Sequence, residues 1–445
     1  MVELSPTLVV IVMFGGLIIS IFLGYPLFLS LAGVGLLVGL SVMGPAVLGL
    51  IHLRALSFLS NYILLAVPLF IFMGMMLEKS GASDKLYGGL HLWFGAFRGG
   101  LAIATVLMGT LLAACVGVIA ASVTMMGLVA APSMLKRGYN KGLVCGSICA
   151  GGTLGILIPP SIMLVIYGPM AQISVGKLFM AAFVPGFVLS ALYIAYIAIR
   201  CWLKPSLAPV IADEERTAPL SKKLFALVVG ILPPAFIVLV VLGSIFFGIA
   251  TPTEAAGVGC LAATILALVF RQFNLETVKE VALRTLKITA MAMGIGMGAC
   301  IFTGVFLRLG GGEAVINLLL STPGGRWGVF AVIMFIVFIL GMFIDWLGIV
   351  FVIIPVVTPI TDALGFDPLW FAMMMCINLQ MSFLTPPFAY AIFYLRGIAK
   401  PEWGISTADI MRGVIPFVIL IMVGLGLCIA FPQLILWLPH QMIKF

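Results

Sequence analysis

TLGILIPPSIML (153–164) places two adjacent prolines in a stretch with no charged side chain between Gly142 and Gly176. Each proline removes a backbone donor and clashes with the preceding turn, so Pro159 and Pro160 interrupt any helix that reaches them. Gly151, Gly152 and Gly155 weaken it further. A helix broken inside an apolar run leaves carbonyls and amides without partners. At membrane depth that is tolerated only where protein or a watery cavity satisfies them.

The rest of the chain supplies the membrane. It is 63% hydrophobic and 9% charged, with a mean hydropathy of +1.30, against roughly a quarter charged in soluble domains. Apolar runs long enough to span a bilayer, about 20 residues, occur near 8–24, 27–51, 60–77, 143–170, 177–199, 224–247, 255–270, 288–307, 368–395 and 411–431. No basic segment precedes the first run, which favours a retained helix over a signal peptide. The 8 cysteines lie in apolar runs without CxxC spacing, and His52, His91 and His440 are far apart. That pattern predicts no transition-metal site, no disulfide framework and no cofactor.

Two runs, 99–135 and 327–361, are too long for one span and too short for two. Each reads as a re-entrant hairpin that enters and leaves on the same side. With the N-terminus outside, this threading puts the 23 Lys and Arg on one face, except Arg54, Lys177, Arg308, Arg326 and Lys444. Basic residues mark the cytoplasmic side. The net charge of +8 therefore expresses topology, not affinity for nucleic acid.

The hairpins belong to an internal repeat. A gap-free shift of 227 residues lays Pro132 on Pro359, Gly138 on Gly365, Cys149 on Cys376 and Tyr167 on Tyr394. It also lays Pro159–Pro160 on Pro386–Pro387. Upstream, FMGMMLEKSG (72–81) resembles FTGVFLRLGG (302–311). Equivalent pieces then face opposite sides, an inverted-topology repeat of the kind secondary transporters build around a midplane site. The fold class predicted is an all-α polytopic membrane protein with two re-entrant hairpins and two broken helices. In ASDKLYGGLHLWFGAFR (82–98), Leu86, Leu90, Trp93 and Phe97 recur at helical spacing, as in an interfacial arm.

Four breaks result: the tips ACVGVIAAS (114–122) and GMFIDWLG (341–348), and their partners AGGTLGILIPPS (150–161) and NLQMSFLTPPF (378–388). Half-helix ends there offer carbonyls to cations and amides to anions. Asp345 is the only acidic residue expected deep in the membrane, and an intramembrane carboxylate is costly enough to imply function. A hard monovalent cation suits it. A protonated structural Asp is the alternative, and for the nearby hydroxyls and amides capping competes with ligand binding. A single deep carboxylate and no deep His argue against an intramembrane protease, so no enzyme is expected.

GGTLGILIPPSIMLVIYG (151–168) closely resembles the hallmark of the large membrane subunit of tripartite ATP-independent periplasmic (TRAP) transporters, the DctM family. VPLFIFMGMMLEKSG (67–81), GMFIDWLGIVFVIIPVVTPI (341–360) and SFLTPPFAYAIF (382–393) look like further family segments. The resemblance implies an elevator-type, sodium-driven secondary transporter in the bacterial inner membrane, importing an organic acid. It implies two partners, a separate small four-helix membrane subunit and a periplasmic substrate-binding protein. One sodium site would lie between Ser122 and Gly151, Gly152 and Thr153. A second would lie between Asp345 and Ser382 and Thr385. Substrate would bind between the tips, at Gly117, Ala121, Gly155, Gly348 and Asn378. The first tip departs from the family's Ser- and Gly-rich pattern, offering the single hydroxyl of Ser122. The expected organisation is scaffold helices and arm at 1–98, a transport half at 99–203, a cytoplasmic linker at 204–223, a second scaffold set at 224–325 and a second transport half at 326–437. A single-component sodium- or proton-coupled anion symporter of related architecture is the alternative.

Overall fold

A computed structural model describes residues 5–95, 97–209 and 219–442, helical throughout and without strands among those residues. Most of the linker expected at 204–223 lies outside the described residues. Among the described residues, eight helices are long and apolar enough to cross a membrane.

Helix starts follow capping chemistry. Asn140 accepts from the amides of Gly142 and Leu143 at the start of the helix Lys141–Thr153, and Asp367 accepts from Leu369 and Trp370 at the start of the helix Pro368–Ser382. These caps sit at equivalent repeat positions, just after Gly138 (φ 73°) and Gly365 (φ 68°), where a left-handed turn needs glycine. Thr251 with Glu254 and Ser406 with Asp409 form capping boxes.

The first repeat runs α1 (Pro6–Phe22), α2 (Leu27–Met43), α3 (Ala46–Leu59), α4 (Ala66–Lys79), α5 (Ala82–Phe94), α6 (Gly100–Val116), α7 (Ile119–Lys136), α8 (Lys141–Thr153), α9 (Ile162–Ala171) and α10 (Val175–Leu203). The second runs α11 (Leu220–Phe246), α12 (Pro252–Val269), α13 (Leu275–Arg308), α14 (Gly311–Leu320), α15 (Gly325–Gly341), α16 (Trp346–Ala363), α17 (Pro368–Ser382), α18 (Tyr390–Ile398) and α19 (Thr407–Ala430), with α20 (Gln433–His440) appended. Hairpin arms match in length, 17 residues for α6 and α15 and 18 for α7 and α16.

Contacts between the repeats come in exchanged pairs. α2 packs on α13 as α4 packs on α12, and α7 packs on α18 as α16 packs on α9. Likewise α5 meets α11 as α14 meets α1, and α8 meets α19 as α17 meets α10. A pseudo-twofold axis therefore relates the repeats, with the hairpins and broken helices grouped around it.

The repeats differ at one joint. α13 is continuous, whereas its counterpart is split into α3 and α4 by a 3-10 turn at Tyr62–Leu65. Asn61 accepts from the Ile63 amide, and Pro68 lacks the donor that a continuous helix would use. Met291 and Gly298 occupy the equivalent positions of α13, which runs through both without a break.

Three sequence expectations need correction. The apolar run 27–51 is not one span: α2 ends at Met43, and Gly44 (φ 63°) and Pro45 turn the chain into α3. The run 288–307 is only the apolar part of α13, whose first turns carry charges. Glu280 there bonds Lys79 at 2.7 Å and Arg284 at 2.6 Å, and Arg284 lies 3.8 Å from Glu78. The arm 82–98 is helical as α5, but Leu86 and Leu90 are buried against protein and Phe97 lies beyond its end. Glycines bring α5 and α11 together: a Cβ on Gly89 would sit 2.7 Å from Ala226 O, and one on Gly230 2.7 Å from Lys85 O. Trp93 Nε1 donates to Lys223 O at 2.9 Å across the same contact.

Candidate functional site

Half-helices of 13 and 10 residues (α8, α9) and of 15 and 9 residues (α17, α18) rise only about 14–22 Å each. None crosses the roughly 30 Å hydrocarbon core alone, so both breaks lie within it.

In the first half, α8 ends in a 3-10 turn at Leu154–Ile156, and Ile158 N donates to Leu154 O at 2.9 Å. Ser161 turns its hydroxyl back onto Ile156 O. Tip 1 is made by Gly117 (φ 63°) and extended Val118. A Cβ on Gly117 would lie 3.2 Å from the Ile162 side chain, so the tip rests on the first turn of α9. Gly151 and Gly152 let α8 nest between the hairpin arms. Their Cβ positions lie 2.8 Å from Met126 Cε and 2.4 Å from Val123 Cγ2. Gly152 thereby adjoins Val123, and Ser122 precedes it in the chain. Ser122 is 2% exposed and its Oγ has no hydrogen-bond partner, whereas Thr153 Oγ1 donates to Ala150 O.

In the second half, tip 2 closes with Phe343 N and Ile344 N donating to Leu340 O, and Asp345 stands extended at the N-cap of α16. Asn378 Nδ2 donates to Met334 O at 2.7 Å, and one turn on Ser382 Oγ donates to Phe338 O at 3.1 Å. These bonds staple α17 to α15. A Cβ on Gly341 would sit 2.6 Å from Ser382 Oγ. Phe388 N donates to Met342 O, tying break to tip. Thr385 Oγ1 returns to Met381 O. Ala389, before α18, holds φ 38°. Gln380 is fully buried and its side-chain amide has no partner.

Both tips meet the half-helices that follow the breaks. A cavity of about 70 Å³ is lined by Val118, Ile119 and Ala120 of tip 1, Ile162 at the start of α9, Asp345, Trp346 and Leu347 of tip 2, and Tyr390 and Tyr394 of α18. Ile71 of α4 and Ile288, Met291 and Ala292 of α13 complete its wall. Asp345, Tyr390, Tyr394 and Met291 also line a neighbouring open cavity of about 780 Å³, which reaches the α1–α2 loop at Gly24–Phe28.

The two halves are not equally covered. Residues 151–161, including Pro159 and Pro160, are all buried, whereas Pro386, Pro387 and Phe388 are exposed. The first break is sealed and the second is open.

Of the residues expected at a site, Asp345 lines both cavities, and Gly117 and Ala121 flank the tip residues that line the smaller one. Gly348 packs against Leu27 and Ile344 at an apolar crevice. Gly155 is buried in the 3-10 turn, and Asn378 is engaged with α15. Tyr390 and Tyr394 escaped sequence analysis, although their spacing puts them on one face of α18. Ile71 and Met291 carry no sequence signal at all, because tertiary packing alone brings the scaffold helices to the tips.

A family model described as "Tripartite ATP-independent periplasmic transporter, DctM component" matches residues 14–434. The C4-dicarboxylate TRAP transporter large permease protein DctM of Pseudomonas aeruginosa is 31% identical over 383 residues, covering 85% of this chain and 87% of that one. The ectoine/5-hydroxyectoine TRAP transporter large permease protein UehC of Ruegeria pomeroyi is 31% identical over 378 residues, covering 84% and 85%. Among solved structures, the Alcanivorax borkumensis YdaH transporter shares the fold, with a TM-score of 0.61 at 15% identity over 89% of this chain and 90% of that one.

Proposed function

The chain belongs to the DctM family of tripartite ATP-independent periplasmic transporters, and from that premise we propose that it is the large permease of a sodium-coupled importer of organic acids. It works in the bacterial inner membrane with a small membrane subunit and a periplasmic substrate-binding protein. The observation that carries this reading is the convergence of both tips and of the half-helices after both breaks on one cavity beside Asp345.

Sodium fits two places. The Ser122 hydroxyl is an orphaned buried oxygen next to the C-terminal end of α8, where half-helix carbonyls point toward a cation. Asp345 supplies a full negative charge at tip 2. An ion at either place lowers the cost of bringing a carboxylate to the midplane, which is the physical basis of coupling.

Unequal burial of the two breaks supports alternating access. In the threading with the N-terminus outside, the α1–α2 loop is cytoplasmic, so the open cavity faces the cytoplasm. Movement of the hairpins and broken helices as an elevator against α2, α4, α12 and α13 would seal the second break and open the first. Substrate identity does not follow from relatedness, since relatives at the same 31% identity are named for C4-dicarboxylates and for ectoine.

Asp345→Asn is expected to abolish sodium-stimulated uptake in proteoliposomes while leaving the assembled complex intact. Uptake should require the binding protein and survive ATP depletion under a clamped sodium gradient. Undiminished uptake by Asp345→Asn at every sodium concentration would remove Asp345 from the coupling mechanism, and uptake without a binding protein would favour a single-component symporter.

A further inference from the structure

We propose that the transported acid is a monoanion with a bulky apolar body, not a small dianionic dicarboxylate. This rests on the assignment of the inter-tip cavity as the substrate site. The inference comes from what faces that space. Among the described residues, neither the inter-tip cavity nor the open one beside it is lined by any Lys, Arg or His, and the only carboxylate there is Asp345, of the same sign as the substrate. The remaining wall is apolar, with Val118, Ile119 and Leu347 from the tips, Trp346 beside Asp345, and Met291 from the scaffold. Hydrogen-bonding side chains among the described residues are Asp345, Tyr390, Tyr394 and the indole N–H of Trp346 in the smaller cavity, joined by Tyr25 in the larger.

Charge bookkeeping decides between acid classes. A carboxylate taken out of water needs a compensating charge or several donors. A sodium ion at Asp345 cancels only Asp345, and one at Ser122 adds a single positive charge, enough for one carboxylate. Tyrosine hydroxyls and the amides at the start of α7 can satisfy one carboxylate, since a helix N-terminus carries about half a unit charge. A second carboxylate, held a few ångströms away on a C4 skeleton, would meet Ile, Leu, Met and Trp side chains with no further cation left to pair with. The same wall rewards an apolar substituent, by about fourfold in affinity for each methylene it buries.

The test uses the purified permease with its small subunit, in buffer containing either sodium or potassium. Thermal stabilisation is titrated with phenylacetate and 4-methyl-2-oxopentanoate as bulky monoanions, and with succinate and malate as dianions. Expected are sodium-dependent stabilisation by the monoanions and at least about tenfold weaker binding of the dianions. Met291→Ala, on a half-exposed scaffold position, should weaken the monoanions about fourfold to tenfold and leave the dianions unchanged. Tyr390→Phe should weaken every acid that binds.

Succinate or malate binding as tightly as the monoanions would overturn the proposal, as would an absence of stabilisation by all four acids. Sodium-dependent binding indifferent to Met291→Ala and Tyr390→Phe would instead show that the substrate site lies elsewhere. That result is distinct from a dicarboxylate preference at the assigned site.

Discussion

Removing one hydroxyl separates a ligand from a structural residue. Ser122 is 2% exposed, and its Oγ has no hydrogen-bond partner among the described residues. A buried hydroxyl left unsatisfied costs about 1–3 kcal/mol. If sodium satisfies it, Ser122→Ala removes a burden from the sodium-free state and a ligand from the bound state. Without sodium, the variant should be as stable as the parent, or about 1 kcal/mol more stable. Its sodium affinity should fall by roughly 1.4–2.7 kcal/mol, about 10- to 100-fold. At a sodium concentration 100 times the parent's dissociation constant, the ion stabilises the parent by about 2.7 kcal/mol. After a 100-fold loss the same concentration gives only about 0.4 kcal/mol. Thermal unfolding titrated with sodium, with choline balancing ionic strength, reads both quantities on one sample. Ser122→Thr, which keeps a hydroxyl, should retain part of the response. A sodium curve for Ser122→Ala that overlays the parent's would refute sodium ligation by Ser122.

Three further outcomes are expected. Gly152→Val should sharply reduce the folded yield, because the new Cβ would lie 2.4 Å from Val123 Cγ2 and 3.1 Å from Val123 Cα, an overpacking cost of at least about 1–3 kcal/mol. Gly49→Val, at a glycine with open space beside it, is the control, and size-exclusion profiles compare the two. Ala389→Gly should raise thermal stability by roughly 0.5–1 kcal/mol, the left-handed penalty relieved less the entropy glycine loses on folding. Circular-dichroism melts of the pair measure it, and a destabilised variant would contradict the backbone argument. Glu280→Gln cuts the bonds to Lys79 and Arg284. Because those side chains are partly exposed, the loss should not exceed about 1 kcal/mol and should shrink at high salt, as melts at two ionic strengths would reveal.

Much of this arrangement could be read from residue order because proline, glycine and charge act locally. Pro159–Pro160 and Pro386–Pro387 announce both breaks, and their spacing carries the repeat. Asn140 and Asp367 start equivalent half-helices whatever surrounds them. The α2–α3 turn was missed because Gly44 and Pro45 lie inside an uninterrupted apolar run, which hydropathy alone cannot divide. The first turns of α13 were missed for the opposite reason: Glu280 and Arg284 look like loop residues until Lys79 is brought against them. Half of the inter-tip wall was hidden as well. Ile71 and Met291 resemble any apolar residue of a span, and nothing short of the fold places them opposite a hairpin tip. Tyr390 and Tyr394 were visible as a same-face pair, but only the open second break gives that face something to meet.

That one break is sealed and the other open bears on the divergence of the two repeats. Under alternating access, a chain made of two identical repeats would have two end states related by the pseudo-twofold axis, with equal internal energies. Every position where the halves differ then acts as a weight on one arm of a balance. Ile158, buried in the first half, corresponds to the partly exposed Thr385 of the second. The continuous α13 and the jointed α3–α4 pair are another such weight. Drift between the repeats thereby tunes the resting orientation of the carrier. Exchanging the α3–α4 joint for the continuous form of α13 would reset it without touching a single ligand.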